Sequence, residues 1–419
     1  MPRYGRAPKL AGSRRVSRSR AAVVMAVAIA LLLAGAAVPR MIRARPPTPL
    51  TPEEQAVKEA LRGLLRREDL AAASGDRAAL PPLFDTAVAD GAAALAHAQD
   101  RLAFVQAWAK ARGVRWAPPH VSLRTPRIRF GAGPNPNLVR ITAVVSEAWT
   151  YVYADGARQT FGIGREHDVE LTRVGGGPWR IAADAFTDPL DQDTRIPGPA
   201  SPGLQGTAPN PPAPVASLAP AGGGARGPYD RAGAVRYADT YCGAAPGCGN
   251  GGRPNPAFYD YNGEGGDCTN FVSQALHFGG RLPETGTWAF DRRSGEGTDA
   301  WAKAPALVGY LTRTGLARIT ARGSAEQVWS AVAAAAPGDL IAYVERGAIV
   351  HMAIVTARDP HGYTLVDSHT ADRYHVPWDI GWDRSARFIV LHVIGAEQRA
   401  AKPSAAPAFV GAAGGCGSA

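Results

Sequence analysis

Cysteine and methionine are scarce in this chain, four of each among 419 residues. No C-x-x-C pair occurs, and no H-x-x-H spacing accompanies the cysteines, which argues against a zinc ribbon or finger. No segment repeats at a fixed period, so a solenoid is excluded. Acidic residues are absent from the first fifty positions, which carry ten basic ones. The net charge of +10 therefore comes from that segment alone, and the rest of the chain balances 36 basic against 36 acidic residues. A balanced body lacks the electrostatic footprint of a nucleic-acid binder, and no nucleic-acid partner is expected.

The basic residues have another use. Arg3, Arg6, Lys9, Arg14, Arg15, Arg18 and Arg20 precede an uncharged run from Ala21 to Val38. As a helix that run spans about 27 Å, close to the thickness of a hydrocarbon core. Arg40, Arg43 and Arg45 follow it. This asymmetry predicts a basic cytoplasmic segment at 1–20 and a transmembrane anchor or signal h-region at 21–38. The remainder would lie outside the cytoplasm, held to the cell membrane by a single pass. If Ala34-Gly35-Ala36 serves as a cleavage site, it would instead be secreted. Cys242 and Cys248, six apart, fit a short-loop disulfide in an oxidising compartment. Cys416 lies in a Gly/Ala-rich tail.

A short Pro/Thr-rich stalk leads to a segment at 51–188. Its first part is helical in spacing: Val57, Ala60, Leu61, Leu64 and Leu65, then Val88, Ala92, Leu95, Ala98, Leu102, Val105 and Ala109. From Val121 the period changes to that of strands, with turn signals at Gly131, Gly156 and Gly175. Helices followed by antiparallel strands predict an α+β accessory domain. Its order is similar to the cone-shaped fold of nuclear-transport-factor-like domains, and a spacer or binding role is expected. A Pro/Gly/Ala-rich linker occupies 189–226, and a Gly/Ala-rich tail expected to be disordered occupies 397–419.

The densest segment runs from 227 to 396. Helices are expected over Arg231–Tyr241, with Asp230 as N-cap, over Trp301–Thr314, and over Ala325–Ala336, where Ser324 and Gln327 form a capping-box pattern. Strands are expected at Asp339–Val344, Val350–Ala357, Tyr363–His369 and Phe388–Ile394. Between them Gly265-Gly266-Asp267-Cys268-Thr269-Asn270-Phe271-Val272-Ser273-Gln274 is a glycine turn that runs into an apolar-periodic helix. Cys268 falls on the first helical turn, where free amides and the helix dipole favour a thiolate. That makes it a candidate nucleophile.

A thiol nucleophile needs a base, and the base needs an orienting group. His351 stands in Val350-His351-Met352-Ala353-Ile354-Val355, with small Ala353 on its own face to let the Cys268 helix approach. On the next strand Asp367 and His369 share one face, and either could hold His351 in its tautomer. His277, His361, His375 and His392 have no such company and read as structural or exposed.

At this point the segment resembles a known family, the putative amidase domain family, itself similar to papain-like cell-wall hydrolases of the CHAP and NlpC types. The motifs that carry the resemblance are Tyr229-Asp230-Arg231 with Tyr237 and Tyr241, the Asp267–Gln274 run, Trp288 and Trp301, Pro337-Gly338-Asp339, the His351 strand, and Asp367-Ser368-His369-Thr370. The resemblance implies a papain-like domain, a nucleophile helix on a small antiparallel sheet. Cys268 would attack an amide carbonyl with His351 as base, His369 or Asp367 would be the third group, and Asp267, Asn270, Ser273 and Gln274 would be shell residues. Asp267 reads equally well as a helix N-cap. The Cys242–Cys248 loop is longer than the simple family pattern and could cover the cleft. The substrate expected for an extracytoplasmic enzyme of this kind is cell-wall peptide. A surface-anchored binding protein without turnover and an acyltransferase using the same residues are the alternatives. No metal or organic cofactor is called for.

Overall fold

The computed structural model describes residues 49–131, 137–173, 175–186, 229–264, 266–380 and 386–394. The expected anchor or signal at 21–38, the linker, the tail and Cys416 lie outside them. No helix among the described residues is long and apolar enough to cross a membrane.

Helix α1 (Pro52–Ser74) buries Val57, Leu61, Leu64 and Leu65 on one stripe, with Glu53 and Glu54 in its first turn, where the helix dipole favours acids. Pro81-Pro82 cannot continue a helix, and a 3-10 turn stands there. Helix α2 (Ala89–Arg112) ends at Gly113, whose φ of +64° is the left-handed cap that glycine adopts without strain. The strands that follow are β1 (Arg115–Trp116), β2 (His120–Phe130), β3 (Leu138–Val152), β4 (Arg158–Thr172) and β5 (Arg180–Phe186). The strand-period region legible from Val121 onward forms β2 to β5, and the two-residue β1 precedes it. Polar residues within a strand simply face outward, so they interrupt the apolar signal without interrupting the ladder.

The second half adds α3 (Arg231–Tyr241), α4 (Cys268–Gln274), α5 (Asp299–Ala302), α6 (Ala304–Arg313) and α7 (Ala325–Ala334). It also adds strands β6 (Ala317–Gly323), β7 (Leu340–Glu345), β8 (Ala348–Arg358), β9 (Thr364–Ser368), β10 (Asp372–Pro377) and β11 (Arg387–Val393). Asp230 caps α3 through the Gly233 amide at 2.7 Å, and Ser324 and Gln327 form the expected capping box on α7. The helix expected from Trp301 to Thr314 is interrupted at Lys303. Strand β6 lies outside the expected strands although Ala317, Ile319 and Ala321 alternate with Arg318, Thr320 and Arg322, whereas β10 shows no apolar alternation because Asp372, Arg373 and His375 interrupt it.

The pairings between these strands are antiparallel, and they form one sheet in the order β1-β3-β4-β10-β9-β8-β7-β11-β6, with β2 on β3 and β5 on β4. The two halves that the sequence separates therefore meet strand to strand. At the join Asp372, Arg373 and Tyr374 of β10 pair with Gly164, Ile163 and Gly162 of β4. Both glycines of β4 are required by the loop above them: a Cβ on Gly162 would stand 2.1 Å from the Pro246 carbonyl oxygen.

Two apolar cores cover opposite faces of the second half's strands. One joins α1, α2 and the first strands to Val328, Ile341, Tyr343, Ala353, Val355, Val366 and Phe388. The other gathers α3, α4 and α6 with Leu340, Ala342, Met352, Ile354 and Leu391. Alternation along β7 and β8 sends successive side chains into different cores, and full burial of each large apolar residue contributes roughly 1.5–3 kcal/mol.

Candidate active site

The turn before Cys268 is built by contact with the far end of β9. Gly266 has φ +118°, and any Cβ there would meet the Thr370 hydroxyl oxygen at 2.8 Å. The Asp267 amide donates to that same hydroxyl. Helix α4 is then buried along its whole length, polar residues included. Asn270 donates to the Tyr259 carbonyl (2.9 Å) and accepts from the Trp301 indole (2.7 Å). Ser273 accepts from the Trp288 indole at 3.0 Å, and Gln274 accepts from the Tyr237 hydroxyl at 2.8 Å. These three polar side chains seat the helix, and their hydrogen bonds compensate the cost of burying them.

Cys268 opens α4 and is 6 % exposed. Burial pushes its thiol above the ordinary value, hydrogen bonds from Thr269 and the Met352 amide pull it back, and the Asp267 charge adds to the rise. The low thiol pKa expected from the helix start is thus overridden in the resting chain, because desolvation disfavours the thiolate.

His351 does not share the Cys268 side of the sheet. It pairs across the ladder with Tyr343, and the two rings lie 5.4 Å apart. Tyr343 and Ala353 belong to the core under α1 and α2, whereas Met352 and Ile354 belong to the core that contains Cys268. The expectation that Ala353 makes room for the cysteine helix is corrected accordingly: the helix packs on the Met352 face, one residue out of phase. His351 lines a small recess with Ser368, Arg373 and Trp378. Burial, aided by the Arg373 charge, holds its pKa down at about 3, so the ring is neutral in the physiological range.

His369 and Asp367 do share the Cys268 face. His369 lies just beyond β9, stacks on Phe271 at 4.2 Å, and donates from Nδ1 to Asp267 Oδ2 (2.7 Å) and from Nε2 to the Tyr241 carbonyl (2.7 Å). Two acceptors for two ring nitrogens define an imidazolium. Burial works against that charge, but the Asp267 hydrogen bond and the Asp372 charge outweigh it and raise the pKa to about 9. Asp267 is held on its other oxygen by the Asn270 side chain (2.8 Å) and the Tyr261 amide (3.2 Å). Its carboxylate thus partners His369, and the helix-cap hydrogen bond that sequence offers as an alternative is not made.

Asp367 is fully buried and accepts from Thr356 Oγ1 and the His375 amide, each at 2.8 Å. Burial and the nearby Asp239 charge raise its pKa to about 7. His375, which reads as isolated in sequence, bonds Asp239 at 3.0 Å and sits against Asp367. Its backbone has φ +50° within an irregular stretch of β10, a placement that no strand pattern reveals.

Cys242 and Cys248 form a disulfide, Cα to Cα 5.5 Å. Their loop lies over β3 and β4, where Ser146 donates to the Ala244 carbonyl at 2.8 Å.

A polar site in the first half was also missed by sequence. Glu68, Asp69, His97, Arg101, Glu147, Arg165, His167 and Asp184 line a small cavity of about 30 Å³. Arg101 bridges Asp69 (2.7 Å) and Glu147 (2.6 Å), and Arg165 also meets Glu147 (2.7 Å). These residues are dispersed over α1, α2, β3, β4 and β5, so their convergence has no local signature.

Comparison with known proteins now bears on the second half. Residues 228–392 match the family described as Putative amidase domain, the amide-directed hydrolase class that the motifs around Cys268 indicate. Over 178 residues the chain is 29% identical to "Uncharacterized protein YhbB" of Bacillus subtilis (strain 168), covering 40% of this chain and 50% of that one. The chain thus spans about half the length of the curated relative it matches. Among solved structures it is similar to the intermembrane space region of chloroplast protein ARC6, at 12% identity and TM-score 0.22, covering 32% of this chain and 94% of that one. Aln2 from a Streptomyces species matches at 15% identity and TM-score 0.23, covering 33% and 93%.

Proposed function

We propose that residues 228–392 form a papain-like cysteine amidase or peptidase that cleaves an amide bond through an acyl-enzyme on Cys268. The observation that carries this reading is the placement of Cys268 one residue from Asp267, whose carboxylate holds the His369 imidazolium on the same sheet face. An imidazolium stabilises a thiolate and can then protonate a departing amine. For His369 to act so, its Nε2 must leave the Tyr241 carbonyl as substrate enters. The thiolate would attack the carbonyl carbon, the amine would leave with a proton, and water would hydrolyse the thioester. His369 replaces His351 as the proton-handling residue in this reading.

The substrate we infer is peptide of the cell wall, outside the cytoplasm. The disulfide supports an oxidising compartment, and the basic-then-apolar N-terminal sequence supports export and membrane attachment. For the half that precedes the amidase segment we infer a spacer or binding role.

A second reading, a binding protein without turnover, is favoured by one observation: both His369 nitrogens are engaged and His351 faces the other core. Labelling Cys268 with a thiol-reactive amide-like probe between pH 5 and 10 separates the two. Under the enzyme reading labelling persists well below pH 8, falls by at least tenfold in His369→Ala, and is little changed in His351→Ala. Labelling that begins only near pH 9 and ignores both histidines would support the binding protein. With an amide substrate in hand, Cys268→Ala is expected to lower turnover by a factor on the order of 10³ or more with the fold retained.

A further inference from the structure

Three side chains outside the cysteine centre converge on the same face of the sheet. Asp239 is near the end of α3, Asp367 is on β9 and His375 is on β10, and one ligand-type atom from each lies within 4.8 Å of the others. They come from three different elements, and Asp239 lies more than a hundred residues before the other two. The second observation concerns Asp367. It is 0 % exposed, its Oδ1 takes both the Thr356 hydroxyl and the His375 amide, and its Oδ2 is buried with no hydrogen-bond partner among the described residues. A buried carboxylate oxygen without a donor is costly, and folded chains rarely leave one so. Asp239 adds a second carboxylate to the cluster, and His375 Nε2 stands 3.0 Å from Asp239 Oδ1.

We propose that Asp239, Asp367 and His375 bind one divalent transition cation of the Zn²⁺ or Mn²⁺ type. Two carboxylates with an imidazole suit a borderline ion better than Ca²⁺ or Mg²⁺, which prefer oxygen donors alone. Bonds of about 2.1 Å to one tetrahedral ion place ligand atoms roughly 3.4 Å apart. Asp239 and His375, with side chains 34 % and 20 % exposed, have the freedom to close that difference around fixed Asp367. On loading, the proton shared between His375 and Asp239 passes to solvent, so that Nε2 offers a lone pair. Water completes the coordination.

The ion would tie the end of α3 to β9 and β10. Tyr241, whose carbonyl holds His369, lies two residues beyond Asp239 on that helix. The cation is therefore a positioning device for the His369 contact, and its existence does not depend on the amidase reading.

The test uses the full chain with Cys268→Ala and Cys416→Ala, which removes both cysteines outside the disulfide from competition, stripped with chelator. Zn²⁺ alone is titrated by calorimetry, and Co²⁺ by its visible absorption. One equivalent is expected to bind, to raise Tm, and to bind at least tenfold more weakly in Asp239→Asn, Asp367→Asn and His375→Gln. Circular dichroism identifies any variant that fails to fold. Should buried Asp367→Asn be lost in this way, the two half-exposed positions carry the test. Absence of stoichiometric binding, or binding that Asp239→Asn and His375→Gln leave within twofold, would overturn the proposal.

Discussion

Asp267 Oδ2 and His369 Nδ1 stand 2.7 Å apart, both groups buried, one residue upstream of Cys268 and just past the end of β9. This contact joins the start of α4 to the sheet and sets the charge state of the imidazole next to it. It also makes the local chemistry sensitive to pH.

The folded pKa of His369, about 9, lies above its ordinary value of 6.5. A raised imidazole pKa contributes stability that is fully present below about pH 6.5 and is lost as pH rises through 9. The amount is on the order of 3 kcal/mol. Asp267→Asn keeps a hydrogen-bond acceptor but removes the charge. Its unfolding free energy should be lower near pH 6 and flatter between pH 6.5 and 9 than that of the native chain. Urea unfolding at several pH values, with NMR titration of the His369 ring, checks this; an unchanged ring pKa would exclude Asp267 as its cause.

His351 has the opposite sign. Its folded pKa of about 3 lies below its ordinary value, so the unfolded chain binds the proton more readily. Stability is full above pH 6.5 and is lost as pH falls toward 3. His351→Gln should flatten the acid limb of the stability curve between those values while leaving Cys268 labelling within about twofold. A tenfold loss of labelling would place His351 back in the site.

Separation of the two halves should be costly. Residues 229–394 alone would expose the β10 edge that pairs with β4, together with the apolar face carrying Tyr343, Val355, Val366 and Phe388. Open strand edges and bare apolar faces promote association. Asp359 adds a buried tie, accepting from the hydroxyls of Tyr151 (2.8 Å) and Tyr153 (2.5 Å). The fragment is expected to aggregate by light scattering, and Asp359→Ala in the full chain to cost roughly 1–3 kcal/mol per hydroxyl left unpaired.

Residue order alone determined much of the second half. Asp230, Ser324 with Gln327, and the Pro337-Gly338 turn mark their elements because caps and turns are local: a side chain bonds an amide three residues away, and nothing distant is needed. Cys268 as the opening residue of a helix was legible for the same reason, as was the shared face of Asp367 and His369. The face on which that helix packs was decided by tertiary structure. Alternation shows that His351 and Met352 point oppositely, yet which of them meets Cys268 depends on what covers the other side, and α1 and α2 with their strands cover the His351 side. The upward direction of the thiol pKa followed from the same packing, since burial disfavours the thiolate. The pairing of β4 with β10, the ionic cavity between α1, α2 and their sheet, and the approach of Asp239 to Asp367 and His375 join residues tens to hundreds of positions apart. Such contacts are selected by burial and register over the whole chain, and no local window of sequence carries them.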